Sequence, residues 1–261
     1  MPSTNYRERT AVNTDFYNLL APFYARLNGE VDYEGMADFI HSRIRAHFGD
    51  TAESVLDLGC GSGNVTLPLL ARGYDMIGVD ASADMLAEAR AREGGEKILW
   101  LCQDMRAFEL YGTVEAAVCT LDGINHLTKR EDVLACLRLV HNYLIPNGIF
   151  IFDLNTPYKF KEVYGEKSYI LEDAGVLCAW QNGYNEKSGL CRFAITLFEE
   201  QEDGSYLRAD AEERERCYTE RSIKQMLTET GFTLLERFDD YTPCAPHDET
   251  ERLVLVARAN K

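Results

Sequence analysis

From residue 54 to residue 156 the chain alternates short apolar or β-branched runs with amphipathic stretches of helical period. This alternation is typical of βαβ units, in which each strand joins a parallel sheet and each helix covers it. The predicted strands are 54–58, 76–79, 98–102, 116–120 and 149–154, and the predicted helices are 64–72, 83–92 and 131–144. Pro146-Asn147-Gly148 is predicted to be the turn between the last helix and its strand. The fold class is therefore α/β.

The hydrophobic period changes after Pro157. Residues 167–218 alternate apolar and polar positions every second residue, which predicts several strands. Turn signals separate these strands at Asp173-Ala174-Gly175, Lys187-Ser188-Gly189 and Asp203-Gly204-Ser205. The pattern predicts an antiparallel meander inserted into the α/β domain.

The α/β pattern resumes after the meander. Thr219 is predicted to cap a helix that runs through Glu229 and is ended by Gly231, and residues 233–238 and 253–257 supply the last two strands. At the other end, residues 15–48 have a helical pattern rich in aromatic side chains. The predicted organisation is a helical cap of residues 1–50, an α/β domain of residues 51–157 and 219–261, and an inserted antiparallel subdomain of residues 158–218.

The composition of the chain limits the cellular compartment and the kinds of binding partner that we expect. The chain of 261 residues has no apolar run near the roughly 20 residues that cross a bilayer, and its start lacks the apolar core of a signal peptide. We expect a cytoplasmic protein with no membrane partner. The formal net charge of −16 would repel a polyanion, which disfavours a nucleic acid partner.

The eight cysteines are scattered along the chain, and no two have the two-residue spacing of a zinc knuckle or redox pair. Several of them lie inside apolar runs. We therefore expect reduced, buried cysteines and no metal site.

The most specific chemical signal is a predicted strand that runs into three alternate glycines, Gly59, Gly61 and Gly63, and then into a helix. Such glycines let the backbone turn sharply and lie against a ligand, and the amides at the helix start face that ligand. The spacing differs from the Gly-x-Gly-x-x-Gly of dinucleotide sites, and Asp57 would oppose a pyrophosphate. An acid at this position suits a cation, such as the amine of a methionyl tail. The alternative is a tight turn without a ligand.

Two further acids follow the next two predicted strands. Asp80 stands where a nucleotide-binding βαβ fold places a carboxylate for the ribose hydroxyls. Asp104 is placed to accept the adenine amino group. Met85 and Met105 are candidates to pack on the adenine faces, or else to fill the core. Three carboxylates at the ends of successive strands predict one crevice at the carboxyl edge of the sheet.

These motifs resemble those of class I S-adenosylmethionine-dependent methyltransferases, over about residues 15–156 and loosely over the last strands. The resemblance implies a seven-stranded Rossmann-like sheet with the antiparallel subdomain inserted, and S-adenosyl-L-methionine as the cofactor. It also implies that Tyr24, from the N-terminal segment, closes over the methionyl end. The other cofactor contacts implied are Asp57, Gly59, Gly61, Ser62, Asp80, Ala81, Met85, Asp104, Met105 and Leu121.

Residues 17–28, the motif 121–127 and the late insertion further resemble small-molecule enzymes such as glycine N-methyltransferases and nucleotide-sugar N,N-dimethyltransferases. This resemblance implies a small-molecule acceptor that is methylated at nitrogen or oxygen. It also implies that the insertion covers the acceptor site or forms a homodimer surface. Its aromatic side chains either stack on a substrate or pack the sheet; they are Tyr158, Phe160, Tyr164, Tyr169, Trp180 and Tyr184.

Methyl transfer depends mainly on the positioning of the acceptor and on the exclusion of water. Within residues 121–127, His126 is the one group whose ordinary pKa is near neutrality, and it is the candidate catalytic base. The alternative is a structural hydrogen bond within the loop.

Three other functions remain as alternatives. A nicotinamide oxidoreductase shares the topology, but the glycine spacing and Asp57 disfavour it. A non-catalytic S-adenosylmethionine-binding module would keep the same cofactor motifs. A tRNA-modifying methyltransferase would also keep them, although the acidic charge disfavours it.

Overall fold

The computed structural model describes residues 31–173 and 175–261. Its strands are β1 (Ser54–Leu58), β2 (Asp75–Asp80), β3 (Leu99–Cys102), β4 (Val114–Cys119), β5 (Leu144–Asn155), β6 (Ser168–Asp173), β7 (Val176–Asn185), β8 (Leu190–Glu200), β9 (Tyr206–Arg216), β10 (Phe232–Asp239) and β11 (Arg252–Ala259). Its α-helices are α1 (Tyr33–Phe48), α2 (Thr66–Ala71), α3 (Ala83–Ala91), α4 (Arg130–Tyr143) and α5 (Glu220–Glu229). No helix in this part of the chain is long and apolar enough to span a bilayer.

Seven strands form one sheet in the order β10-β11-β5-β4-β1-β2-β3. The first five strands of the chain pair in parallel, whereas β11 pairs antiparallel with both β5 and β10. The strand order reverses between β1 and β4, and ligands bind open α/β sheets at such a switch point. The predicted seven-stranded α/β sheet is confirmed.

Both faces of this sheet are buried, and β11 shows it most clearly. Val254 and Val256 pack into a cluster that includes α1. Leu255 and Ala257, which point the other way, pack into a cluster that includes α4 and α5. Because helices cover both faces, the strands read as continuous apolar runs and form a firm support for the loops at their ends.

The strands β6 to β9 form a separate four-stranded antiparallel sheet in chain order, which we call the inserted sheet. This confirms the predicted meander. Left-handed glycines occupy two of its predicted turns, with φ of 67° at Gly189 and 77° at Gly204. The remaining predicted turn contains Ala174, which lies outside the described residues.

One buried side chain, Asn125, joins the two sheets. Its Oδ1 accepts a hydrogen bond of 3.0 Å from the Asn155 amide, at the end of β5. Its Nδ2 donates to the Arg216 carbonyl at 2.8 Å, and the Arg216 amide donates to the Asn125 carbonyl at 2.8 Å. The ends of β5 and β9 are therefore held at the same point.

The prediction of a turn at Pro146-Asn147-Gly148 was wrong. Pairing begins at Leu144, directly after α4, and these three residues lie inside β5. Asn147 has a φ of 63°, and the register against β4 shifts between Val114 and Ala116. The turn residues therefore make a bulge that β5 absorbs without leaving the sheet.

The cysteines are all free. The expected burial is wrong for Cys102 and Cys244, which are exposed, and only partly met by Cys217. Of the predicted helical cap, the structure describes α1 and its flanks, and residues 1–30 lie outside the described residues. The predicted domain boundaries stay a prediction.

Candidate active site

The glycine loop leaves β1 at the switch point of the sheet. Gly59 and Gly61 have left-handed φ of 70° and 52°, a conformation that costs a residue with a Cβ free energy. A Cβ on Gly59 would lie 3.3 Å from Cε of Met105, and one on Gly61 would lie 3.9 Å from Cε of Met85. The two predicted methionines therefore flank the loop, and Met85 is buried.

Asp57 lies at the base of the loop and is almost fully buried. Its Oδ2 accepts a hydrogen bond of 2.6 Å from the Thr66 hydroxyl, while its Oδ1 has no hydrogen-bond partner among the described residues. Burial and the charge of Asp80 raise the pKa of Asp57, the hydrogen bond from Thr66 lowers it, and the resulting value is about 7. A buried acceptor of this kind favours a cationic or hydrogen-bond-donating ligand.

Asp80 at the end of β2 binds the glycine loop to the start of α3. Its Oδ2 accepts the Gly61 amide and its Oδ1 accepts the Ser82 amide, each at 2.8 Å. Ser82 in turn caps α3, and the adjacent Ala81 is exposed. Burial raises the pKa of Asp80, whereas these amides and the charge of His126 lower it. His126 therefore lies close enough to influence the predicted ribose acid.

Two predicted cofactor residues lie in different settings. Ser62 is buried, and its carbonyl accepts a hydrogen bond of 2.9 Å from Arg92. Asp104 is half-exposed and pairs with Arg106, whose Nε lies 2.9 Å and 3.0 Å from its two oxygens. That pairing lowers the pKa of the Asp104 carboxyl. The adenine contact of Asp104 stays a prediction, and Tyr24 lies outside the described residues.

The loop after β4, residues 121–127, begins with two strained residues. Leu121 and Asp122 have φ of 54° and 58°, a region that few non-glycine residues adopt. Asp153, which is fully buried in β5, holds both of them: its oxygens accept the Leu121 amide at 2.7 Å and the Asp122 amide at 2.5 Å. The same carboxylate accepts hydrogen bonds from Tyr241 and from Arg252, the latter at 2.7 Å. Sequence analysis did not identify Asp153.

His126 lies between carboxylates. Its Nδ1 is 3.4 Å from Glu213 Oε1, and its Nε2 is 3.8 Å from Asp122 Oδ2. Burial lowers the pKa of His126, but the hydrogen bond to Glu213 and the charges of Glu215, Glu213 and Asp122 outweigh burial and raise it to about 9. The pKa of His126 therefore lies above the ordinary value of histidine, because three acids stabilise the imidazolium, and its role as a catalytic base stays a prediction.

Glu213 and Glu215 come from β9, on the face of the inserted sheet that is otherwise apolar. They pair in register with Phe193 and Cys191 of β8, and both side chains are buried. Asn155 Nδ2 donates to Glu215 Oε2 at 3.1 Å. Burial and the charge of Asp122 raise the pKa of Glu215 to about 8. Sequence analysis missed both acids, although two acids two residues apart in a predicted strand must share a face.

Most aromatic side chains of the insertion pack on one another. Phe160 stacks on Tyr184 with ring centroids 5.6 Å apart, and Phe193 makes edge contacts with Tyr164 and Trp180 at 5.0 Å and 5.9 Å. These contacts favour the sheet-packing interpretation over substrate stacking for this group.

Comparison with known proteins gives a family match and two relatives that are similar over most of this chain. The model of the methyltransferase domain family matches residues 55–148. A Geobacillus sp. (strain WCH70) protein that carries a provisional methyltransferase name is 28% identical over 244 residues, which is 93% of this chain and 99% of that one. The glycine/sarcosine N-methyltransferase of Parasynechococcus marenigrum (strain WH8102) is 26% identical over 235 residues, 87% of this chain and 77% of that enzyme.

A solved structure shows the same architecture. The S-adenosylmethionine-dependent methyltransferase from Clostridium acetobutylicum ATCC 824 superposes with a TM-score of 0.83 and 28% identity, over 94% of this chain and 100% of that one. The likeness includes the inserted region as well as the α/β sheet, because nearly the whole of both chains is covered.

Proposed function

We propose that this chain, a class I S-adenosylmethionine-dependent methyltransferase, methylates nitrogen or oxygen of a small-molecule acceptor. The observation that carries the proposal is the position of the acid cluster. The loop after β4 and the strand β9 bring Asp122, His126 and Glu215 together, and the charge of His126 reaches Asp80 beside the glycine loop. An acceptor held by that cluster would lie next to the cofactor.

The residues around the glycine loop fit the cofactor. The unpartnered oxygen of buried Asp57 suits the ammonium group of the methionyl tail. Asp80 retains lone pairs beyond those used by the two amides, and these suit the ribose hydroxyls. Met85 and Met105, on either side of the loop, suit the adenine faces.

When bound, S-adenosylmethionine supplies an electrophilic methyl group on a sulfonium. The chain's own contribution is to hold the acceptor's lone pair in line with that methyl group and to exclude water. Asp153 supports this role by fixing the backbone of Leu121 and Asp122, which form the wall between the two ligands in our proposal. His126, as an imidazolium, would orient the acceptor and would not act as the resting base.

A small acceptor is supported by two observations. The net charge of −16 opposes a polyanionic substrate. The glycine/sarcosine N-methyltransferase, named for small amine substrates, matches 87% of this chain. The acid-rich cluster favours nitrogen over oxygen.

The first experiment is thermal unfolding of the purified protein with S-adenosylmethionine, S-adenosylhomocysteine or NAD. A ligand at 100 times its dissociation constant adds about 2.7 kcal/mol to the free energy of unfolding. We expect a shift with the two adenosyl compounds and none with NAD. Formation of S-adenosylhomocysteine in a metabolite extract then distinguishes a methyltransferase from a binding module, and filter binding with bulk tRNA checks the nucleic acid alternative.

A further inference from the structure

We propose that Glu215, supplied by the inserted sheet, is a catalytic residue: with Asp122 it binds the nitrogen of an amine acceptor, and it takes that nitrogen's proton. The inference rests on the proposed function and specifies its substrate class. His126 is then the cationic neighbour of both acids.

The spacing of the groups fits one nitrogen atom. One oxygen of Asp122, one nitrogen of His126 and one oxygen of Glu215 all lie within 4.8 Å of one another. Two hydrogen bonds of about 2.8 Å that leave one nitrogen at the tetrahedral angle end on acceptors about 4.6 Å apart. A separation of up to 4.8 Å is therefore compatible with one ammonium group that bridges the two carboxylates.

Asn155 gives a second, independent indication of a ligand. Its side chain is fully buried and its Nδ2 donates to Glu215, yet its Oδ1 has no hydrogen-bond partner in the described ranges 31–173 and 175–261. A buried amide oxygen without a donor costs free energy unless a ligand supplies one. An amine has more than one N–H and can satisfy Asn155 as well as the carboxylates.

The surroundings of Glu215 make it a stronger base than an ordinary carboxylate. The pKa of Glu215 is about 8, whereas that of an ordinary glutamate is about 4.3. The pKa of an aliphatic ammonium is about 10.4, as in lysine, so the raised value brings Glu215 closer to that of the acceptor. Proton transfer from the acceptor is correspondingly less uphill. The groups that face Glu215 are Asp122 and His126 from the loop after β4, Asn155, Lys159 and Tyr164 at and beyond the end of β5, and Cys191 from β8.

The acceptor ammonium R–NH₃⁺ gives one proton to the Glu215 carboxylate, which leaves R–NH₂ and a neutral carboxylic acid. The freed lone pair forms the N–CH₃ bond while the S–CH₃ bond of the sulfonium breaks and its electron pair stays on sulfur. The products are R–NH₂–CH₃⁺ and S-adenosylhomocysteine, and Glu215 returns its proton to water.

The test compares Glu215→Gln with Glu212→Gln. Glu212 lies on the same strand but is exposed, and it pairs with Arg192 and Arg214 outside the site. Binding is followed first, without any need for the acceptor: methylammonium chloride is titrated into the protein saturated with S-adenosylhomocysteine, and the side-chain amide signal of Asn155 is recorded by NMR. We expect a saturable shift in the wild type and in Glu212→Gln, and none in Glu215→Gln.

Turnover is measured next with matched pairs of probes, glycine with glycolate and ethanolamine with ethylene glycol, by formation of S-adenosylhomocysteine. We expect the amines alone to react. Glu215→Gln should lower kcat at least ~100-fold, remove the rise of kcat with pH and leave the cofactor dissociation constant within about twofold. Glu212→Gln should match the wild type.

An unmoved Asn155 signal, or an equal shift in Glu215→Gln, would overturn the inference. So would a shift produced by MgCl₂ or MnCl₂ but not by methylammonium, since that would identify the three side chains as a divalent cation site. If Glu215→Gln methylated the alcohols as fast as the wild type does, this inference would be overturned and the proposed function would still stand. A methylammonium shift without turnover of any probe would support the amine site and count against the proposed small-molecule reaction.

Discussion

Arg252 and Asp153 form a buried ion pair between neighbouring strands, with Nη1 of the guanidinium 2.7 Å from Oδ1 of the carboxylate. The second nitrogen of the guanidinium, Nη2, lies 2.9 Å from Asp122 Oδ1. One arginine of β11 is therefore bonded to the acid that holds the loop after β4 and to the first acid of the cluster. The geometry of the candidate site depends on this pair.

Asp153→Ala should lower the free energy of unfolding by about 3–5 kcal/mol, because it leaves the Arg252 charge buried without its main partner. Urea denaturation measures this change. Asp210→Ala is the matched control, since its pair with Arg208 is exposed and should contribute less than about 1 kcal/mol. Equal losses in the two variants would show that the buried pair stabilises the fold no more than the exposed pair does.

Asp80→Ala should weaken cofactor binding by about 2 kcal/mol or more, since the side chain is expected to bind the ribose and already fixes the Gly61 amide. Isothermal titration with S-adenosylmethionine measures the effect, and circular dichroism checks that the fold is kept. Asp84→Ala, at an exposed position on α3, is the control. An unchanged dissociation constant in Asp80→Ala would rule out the ribose contact.

His126 should titrate far above a free histidine, at a pKa of about 9. Because this folded-state value is above the unfolded value of about 6.5, the stabilisation is complete below pH 6.5 and is lost as the pH rises through 9. NMR of labelled histidine gives the pKa directly, and Glu213→Gln should bring it down by removing a negative charge that stabilises the imidazolium. His41, whose pKa burial lowers, is an internal reference. A His126 pKa near 6.5 in the wild type would restore the histidine as a neutral base.

Cofactor binding should release a proton from Asp57. The carboxyl has a pKa of about 7 in the folded chain, and a cation beside its unpartnered oxygen would lower that value. Binding should therefore tighten as the pH rises from 6 to 8. Calorimetry in two buffers of different ionisation enthalpy measures the proton release, which should disappear in Asp57→Asn. Proton release that persists in this variant would have to come from another group.

The raised pKa of Asp57 also makes the stability of the ligand-free protein depend on pH. Because the folded-state pKa of Asp57 is raised, its contribution to the free energy of unfolding is complete below about pH 4 and is lost as the pH rises through 7.

The sequence predicted those parts of the site that are built from residues close together in the chain. The path from β1 through Gly59 and Gly61 to a helix depends on residues that are neighbours in the chain, and the acid at the end of β2 follows from the βαβ repeat. The period-two pattern likewise predicted the inserted sheet, and Thr219 was correctly placed as a helix cap.

The residues of the acceptor site were harder to predict from the sequence, because that site depends on contacts between distant segments. Asp153 and Arg252 are 99 positions apart, and the pairing of β5 with β11 is what brings them together. Glu213 and Glu215 were hidden by charged neighbours on the opposite face of β9, so the strand looked like a solvated edge. Which face turns inward depends on how the inserted sheet meets the loop after β4, and residue spacing does not encode that.

Asn125 has a consequence for exchanging parts between related chains. It ties Asn155, where the chain departs for the inserted sheet, to Arg216, where the chain comes back. A foreign segment grafted between these two residues would have to accept the bonds of Asn125 at its seam and also supply partners for His126 and Asn155 in place of Glu213 and Glu215. We therefore expect that a chain which receives residues 156–215 from a relative takes on the acceptor preference of that relative, provided that the recipient keeps Asn125.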